Sequence, residues 1–176
     1  MAVISFADKT PQIAAPHFIA PDAWVIGDVT IAGLVSIFFH AVLRGDIEPI
    51  TVGEGSNIQE HAMLHTSRGL GPCTVGKNVT IGHRAIIHGC TIEDSCIIGM
   101  GSVILDGAVI GKNSIVGAQA LVPMNMIVPE GSLVLGVPAK IIKNVSAEQI
   151  STIAQSALSY QKLGEQYCTV LGFTKG

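Results

Sequence analysis

The chain has 176 residues, enough for one domain with a sizeable core and too short for two ordinary domains. Hydrophobic residues make up 48% of it and charged residues 13%, which excludes an intrinsically disordered chain. Ten Lys and Arg against 13 Asp and Glu give a net charge of -3 without runs of like charge, so we expect neither nucleic acid nor a charged membrane surface as a partner.

The first ten residues and the apolar stretches lack the features of targeting or membrane-spanning segments. The segment MAVISFADKT has no basic start and no uninterrupted apolar block, so we expect no secretory signal. The longest uncharged stretch, residues 113–129, contains Asn, Gln and two Pro, so we expect no membrane span. The four cysteines lack CxxC spacing and are predicted to be buried thiols. We therefore predict a cytoplasmic protein.

From residue 19 onwards an aliphatic side chain returns every six residues. Two interruptions and one five-residue step, from Ile87 to Ile92, break the series. From Ala23 to Ala120, the fifth residue of each hexad, counted from its aliphatic residue, is small or β-branched (Ala, Ser, Cys, Thr or Val), and only Ile47 and Arg68 depart from this rule. The aliphatic positions are Ile19, Val25, Ile31, Ile37, Leu43, Val52, Ile58, Leu64, Val75, Ile81, Ile87, Ile92, Ile98, Ile104, Ile110, Val116 and Val122.

A period of six fits neither a helix of period 3.6 nor a plain alternating strand. It predicts a parallel β-solenoid in which three hexads, each a short strand and a tight corner, complete one triangular coil. The pattern resembles the hexapeptide-repeat proteins. That resemblance implies a mainly β fold, a left-handed parallel β-helix, with coils over about residues 19–125.

The segment after the repeats predicts a crossover and a helix. Residues 126–145 include GSLVLGVPAKII, which resembles the exit segment of hexapeptide-repeat proteins. Ser146 and Gln149 form a capping-box pattern, and apolar residues follow with helical spacing. We predict a C-terminal α-helix over about 147–167, packed along the solenoid within a single domain of residues 1–176.

Departures from the period are where we look for function, because a regular solenoid is a scaffold. Two loops are predicted, at 45–51 and 66–74, and His65, His83 and His88 lie around the second loop and the five-residue step. Counting hexads places Leu43, Leu64 and Ile87 on one face of successive coils. The residues that follow them therefore form one column: Arg44, His65 and His88. The other histidines are expected to be ordinary surface or hydrogen-bonded residues: His17, His40 and His61.

Imidazoles in that column can share a metal ion. Adjacent coils lie about 4.8 Å apart, and metal–nitrogen bonds of about 2.0–2.1 Å fit between two stacked imidazoles, here His65 and His88. His83 lies five residues before His88 and across a corner, so we expect it to reach the ion from a neighbouring subunit. The sequence thus predicts a cyclic homotrimer with a metal site at each subunit interface.

The runs RGD (44–46), NIQE (57–60), MLHTS and GHRAIIHG resemble those of the gamma-class carbonic anhydrases and their bacterial relatives, over residues 19–140. The resemblance implies a homotrimer with a metal held by three histidines across subunit interfaces. It also implies reversible hydration of carbon dioxide to bicarbonate by metal-bound hydroxide, the reaction of a carbonate dehydratase. Zinc is the expected metal, and iron or cobalt also suits imidazole ligands.

The same resemblance implies roles for five polar residues. Gln59 would orient the hydroxide and Asn57 would hold Gln59, although such amides also bond simply to the backbone. Arg44 and Asp46 would pair at the interface, either attracting bicarbonate or only fixing register. Tyr160 would reach the pocket from the final helix, or only pack as an aromatic side chain.

Two differences from the family affect the expected activity. Glu60 stands where the family commonly has Asp. No Asp or Glu occurs between Glu60 and Glu93, where the most active members carry an acidic loop that exports protons, so we expect slow or buffer-dependent turnover. Alternative functions are a hexapeptide acyltransferase with one essential histidine and coenzyme A, a coenzyme A thioester hydrolase, and a non-catalytic metal-binding trimer.

Overall fold

The computed structural model describes residues 2–172, which form a parallel β-solenoid of about seven turns followed by a helix. The predicted mainly β, left-handed β-helix class with a C-terminal helix is confirmed. The elements in chain order are β1 Ala2–Ile4, β2 Gln12–Ile13, β3 Phe18–Ile19, β4 Trp24–Ile31, β5 Ser36–Ile37, β6 Val42–Val52, β7 Asn57–Ile58, β8 Met63–His65, β9 Cys73–Val75, β10 Thr80–Ile81, β11 Ile86–His88, β12 Thr91–Ile92, β13 Ile97–Ile98, β14 Val103–Ile104, β15 Val109–Ile110, β16 Ile115–Val116, β17 Leu121–Val122, β18 Ile127–Val128, β19 Ser132–Leu135, β20 Lys140–Asn144 and α1 Ala147–Val170.

The strands stack into three faces. The first face contains β3, β5, β7, β10, β13, β16 and β19, with β20 antiparallel at its end. The second face contains β1, the first halves of β4 and β6, and then β8, β11, β14 and β17. The third face contains β2, the second halves of β4 and β6, and then β9, β12, β15 and β18. We call the turn from first to second face the first corner, and the turn from second to third face the second corner.

The predicted hexad register holds across the coils. Leu43 pairs with Leu64, and Leu64 pairs with Ile87, so these side chains stack inside the solenoid, where all three are fully buried. The corners demand a left-handed backbone, which favours Asn and Gly. Asn78 and Asn113 meet this demand with φ of 53° and 57°. The repeat therefore follows from an apolar stack and from corner residues that tolerate positive φ.

The coils begin earlier and end later than the predicted boundaries of 19–125. Strands β1 and β2 pair with β4 ahead of residue 19, and β18 and β19 continue two faces inside the segment 126–145 that we predicted as a crossover. The reason is that Val128 and Val134 extend the six-residue series into the core, where both are buried.

The first predicted loop, at 45–51, is part of a strand. Strand β6 runs unbroken from Val42 to Val52, and its extra residues form a bulge against β4. Gly45 pairs with Gly27, and Ile50 pairs with Val29. Four residues of β6, 46–49, therefore lie opposite a single residue of β4, Asp28. A bulge of this kind bends a strand and re-aims its side chains. The second predicted loop, at 66–74, is confirmed as a loop over residues 66–72. Its last two residues, 73 and 74, belong to β9.

Helix α1 packs on the first face against β3, β5, β7 and β10. Ser146 caps it with both bonds of the predicted capping box, and it runs to Val170, three residues beyond the predicted end. The hydroxyls of Thr80 and Ser156 lie 3.1 Å apart across the contact. Gly164 allows the close approach, because a side chain there would collide with Ser36 Oγ.

Within residues 2–172, no helix combines the length and apolarity that crossing a bilayer requires.

The outward side chains of the other two faces differ in polarity. On the third face the register stacks threonines over four coils, Thr30, Thr51, Thr74 and Thr91, before the column continues with Val109 and Ile127. On the second face it stacks a column of apolar residues, which we call the apolar column: Trp24, Val42, Met63, Ile86, Val103 and Leu121. Trp24, Met63 and Ile86 remain 40% exposed or more. Within residues 2–172, a single protomer thus leaves the apolar column partly exposed.

Candidate metal centre at two corners

His65 and His88 are register partners at the end of the second face, as the hexad count predicts. Their rings lie edge to face, and His65 Nδ1 is 3.2 Å from His88 Nε2. Two nitrogen ligands at about 2.0–2.1 Å from one tetrahedral ion would lie about 3.3 Å apart. The two nitrogens therefore have the separation of a shared coordination edge.

The outer nitrogen of each ring faces a carboxylate. His65 Nε2 is 3.1 Å from Asp46 Oδ1, and His88 Nδ1 is 3.0 Å from Asp106 Oδ2. An ionised carboxylate only accepts hydrogen bonds, so each outer nitrogen is the protonated one. In neutral rings this leaves two lone pairs facing each other across 3.2 Å. Such a pair is satisfied by a proton on one ring or by a metal ion between the two nitrogens, so the donor set fits a metal ion.

Arg44 holds the carboxylate of Asp46. Arg44 Nη1 donates to Asp46 Oδ2 over 2.6 Å. Burial alone would raise the pKa of Asp46, but the bonds from Arg44 and His65 outweigh it and hold that pKa below its usual value. Burial lowers the pKa of His65, and the charge of Arg44 acts in the same direction, which favours the neutral ring that metals bind.

His83 lies at the first corner, on the opposite edge of the second face. Its Nδ1 is 2.5 Å from Glu60 Oε2, so the Glu that replaces the family's Asp reaches this ring. The ring is 43% exposed, and its Nε2 is left without a bonding partner among residues 2–172. All three histidines proposed as ligands thus have one ring nitrogen held by a carboxylate.

The predicted amide pair lies beside this corner. Gln59 Nε2 donates to Asn57 Oδ1 over 3.2 Å, and Asn57 Nδ2 donates to Thr80 Oγ1 over 3.0 Å. Both amides are buried. Tyr160 packs edge-on against Phe38, and burial together with the Glu60 carboxylate raises its pKa.

One protomer does not bring the predicted site together. The two-histidine half contains Arg44, Asp46, His65, His88 and Asp106 at the second corner. The one-histidine half contains Asn57, Gln59, Glu60, His83 and Tyr160 at the first corner. Among residues 2–172, no three His, Cys, Asp or Glu side chains are grouped so that they could hold a metal.

Sequence reasoning overlooked two acidic residues near the second corner. Asp106 was hidden because an Asp-Gly pair reads as an ordinary turn, and the only irregularity near it is the shortened step after Ile87 in the preceding coil. Glu48 Oε1 accepts from Gly69 N over 2.9 Å, so the bulge of β6 supplies an acidic side chain to loop 66–72.

Cys90 lies close by, but its hydrogen bond with Cys73 and its burial raise its pKa far above normal, so it is a protonated core thiol.

Comparisons with known proteins place the chain in a family. A model described as bacterial transferase hexapeptide (six repeats) matches residues 72–106 and 89–123. The chain is 42% identical over 165 residues to gamma carbonic anhydrase 1 of Arabidopsis thaliana. It is 53% identical over 147 residues to a probable carbonic anhydrase of Methanocaldococcus jannaschii, which covers 84% of this chain and 92% of that protein. The chain belongs to the gamma carbonic anhydrase-like family of hexapeptide-repeat proteins.

The family assignment confirms the resemblance drawn from the sequence motifs. The carbonic anhydrase of Geobacillus kaustophilus is a further member of similar size, with 41% identity over 94% of this chain and 90% of that protein. The chain spans about three fifths of the Arabidopsis gamma carbonic anhydrase 1, which it matches over 91% of its own length.

Two solved structures of similar size share the fold of this family member. A putative acetyltransferase of Bacillus cereus superposes with a TM-score of 0.93 at 36% identity, covering 96% of this chain and 98% of that chain. A hexapeptide transferase family protein of Anaplasma phagocytophilum gives 0.91 at 39% identity, covering 94% and 98%.

Proposed function

We propose that this protein is a cytoplasmic, metal-dependent enzyme that interconverts carbon dioxide and bicarbonate at sites between the subunits of a homotrimer. The observation that carries the proposal is the pair of imidazole nitrogens, His65 Nδ1 and His88 Nε2, that face each other across 3.2 Å, each with a carboxylate at the other nitrogen of its ring. The relatives named carbonic anhydrases, at 41–53% identity over most of the chain, support the choice of reaction.

The metal ligands in this proposal are His65 Nδ1 and His88 Nε2 of one protomer and His83 Nε2 of the partner subunit. Zinc is the proposed ion, and iron or cobalt would suit the same ligands. Such an ion lowers the pKa of a coordinated water towards neutrality and so makes hydroxide available as a nucleophile. The carboxylates of Asp46 and Glu60 would keep two of the rings in the tautomer that presents a lone pair.

The apolar column supports the trimer. It lies on the second face, between the first corner with His83 and the second corner with His65 and His88. An apolar column of this length on a protein surface indicates an interface. Burying it against the next protomer of a closed ring would bring the two halves of the site together.

The remaining polar residues would handle the substrate and the proton. Gln59, fixed by Asn57, would hold the nucleophile by a group that both donates and accepts and does not titrate. Arg44 keeps 39% of its side chain exposed and would attract bicarbonate while it pairs with Asp46. Tyr160 would offer its hydroxyl beside Glu60, where its raised pKa keeps it protonated.

Stopped-flow hydration of carbon dioxide tests this function. The purified protein is loaded with Zn²⁺, Co²⁺ or Fe²⁺, the last under anaerobic conditions, and buffer concentration is varied. We expect metal-dependent activity that rises with buffer, because the loop 66–72 carries no carboxylate of its own. Activity no greater than that of a His88→Ala variant under every condition would reject the proposal.

A second candidate, acyl transfer from coenzyme A, is favoured by the similarity to the putative acetyltransferase of Bacillus cereus and the hexapeptide transferase family protein of Anaplasma phagocytophilum. Such an enzyme needs one histidine base rather than three carboxylate-held imidazoles. Titration calorimetry with acetyl-coenzyme A separates the two: binding in the micromolar range favours the transferase, whereas the absence of binding together with metal-dependent hydration favours the proposed hydratase.

A further inference from the structure

Asp106 lies at the second corner, directly beyond the two facing imidazoles. Its side chain is 10% exposed, and its Oδ2 is 3.0 Å from His88 Nδ1. Ser67 Oγ is a more distant neighbour of the same oxygen, at 3.5 Å. The other oxygen, Oδ1, is buried and has no hydrogen-bond partner within residues 2–172. A buried carboxylate with an unpartnered oxygen is costly and calls for an explanation.

The shortened step after Ile87 creates the space for this carboxylate. Ile87 pairs with Ile104 and Thr91 pairs with Val109, so three residues turn the corner in one coil and four in the next. The additional residue is Asp106. Its coil therefore carries a side chain at the corner for which the preceding coil has no register partner.

Gly89 allows the carboxylate to approach His88. It has a φ of 53°, and its carbonyl accepts from Gly107 N over 2.7 Å. A β-carbon at position 89 would collide with Asp106 Oδ1. The His88-Gly89 and Asp106-Gly107 pairs thus form one unit, in which glycine backbone makes room for a carboxylate–imidazole bond.

The bond determines which nitrogen of His88 is available. Because the carboxylate accepts from Nδ1–H, the lone pair lies on Nε2, which faces His65 Nδ1. Asp46 does the same for His65 from the opposite side. Without Asp106, His88 would be free to rotate about its side-chain bonds or to adopt the other tautomer, and the facing geometry would be lost.

We propose that Asp106 is the positioning residue that orients His88 for metal binding, through a site built by the shortened step at Gly89. The inference rests on the proposed metal site and adds to it a residue outside the ligand set. Carboxylates that hold ligand imidazoles typically contribute 10- to 100-fold to metal affinity.

Cobalt binding tests the role of Asp106 without relying on activity. Apoprotein is titrated with Co²⁺ against a competing chelator, and the visible absorption of the bound ion is recorded. We expect Asp106→Ala to weaken Co²⁺ binding by about 10- to 100-fold and to shift the absorption bands. Asp106→Asn, which keeps an accepting oxygen of the same shape, should show an intermediate loss.

The matched control is Asp94→Asn, at an exposed corner aspartate that accepts from Lys77 N. It should bind Co²⁺ like the wild type. Thermal unfolding of each apoprotein checks that it is folded. The unfolding temperature of Asp106→Asn should be close to that of Asp94→Asn.

The outcomes separate the two proposals. Wild-type affinity and spectrum in both Asp106 variants would overturn the positioning role and leave the metal site intact. A wild-type protein that binds Co²⁺ no better than His65→Ala would overturn both the role and the site.

Discussion

The two halves of the candidate site differ in how much of the chemistry each contains. The two-histidine half has facing lone pairs 3.2 Å apart and two carboxylates behind them. The one-histidine half has a single exposed ring on Glu60 and a buried amide chain. Each half by itself is a hydrogen-bonded cluster. The comparison supports the proposal that the two halves are parts of one centre on opposite edges of a face, which a second copy of the chain would complete.

The largest effect is expected from breaking the two-histidine half. His88→Ala removes one of the facing nitrogens, so we expect loss of bound metal and a fall of hydration activity to the uncatalysed rate. Elemental analysis and stopped-flow assays measure both. The control is His61→Ala, whose ring stacks on His40 at the exposed first corner. Equal loss in the control would show that the effect is not specific to this half.

The next effect concerns the face between the halves. Ile86→Asp places a carboxylate in the apolar column, and burying an unpaired charge costs about 3–5 kcal/mol. We expect the proposed trimer to dissociate and to lose its metal, as measured by analytical ultracentrifugation and elemental analysis. Ile127→Asp is the matched control, because Ile127 is also exposed on a strand but lies on the third face. A trimeric Ile86→Asp variant with full metal content would show that this face is not the interface.

A smaller effect is expected in the amide chain of the one-histidine half. Gln59→Ala leaves all three imidazoles in place, so metal content should be unchanged while kcat falls by about 100-fold, the value of one well-placed polar contact. Gln119→Ala, at the same corner in a later coil, should change neither quantity. Loss of metal in Gln59→Ala would assign this residue to the binding of the ion rather than to the substrate.

The smallest effect is expected from Tyr160→Phe. The ring keeps its edge-on contact with Phe38, and only the hydroxyl is removed. We expect activity to fall by no more than about tenfold, the range of one hydrogen bond, with unchanged unfolding temperature. An activity equal to that of wild type would leave Tyr160 as a packing residue.

Most of the fold was accessible from the sequence because its cause is local and repetitive. Leu43, Leu64 and Ile87 return at fixed spacing, and their stacking alone determines the face on which His65 and His88 meet. The pattern could not show that residues 46–49 bulge within β6, because a bulge depends on how two strands pair. The series does continue beyond residue 125, at Val128 and Val134, but the Pro and Gly residues of that segment suggested an exit from the coils.

The site was accessible only in part, for a physical reason. The histidines proposed as ligands are uncommon side chains at register positions, so their spacing draws attention to them. The carboxylates that hold them come from corners, where Asp is common for turn formation alone. Asp106 and Glu60 are recognisable as partners of His88 and His83 only from their distances.

The central claim is that each centre combines the two-histidine half of one protomer with the one-histidine half of another. Co-expressing His83→Ala and His88→Ala chains tests it directly, because each variant is intact in the half that the other lacks. Random mixing in a closed ring should restore about one quarter of the sites, and hence activity and bound metal that neither variant has alone. Mixed trimers with no recovered activity or metal would contradict the account.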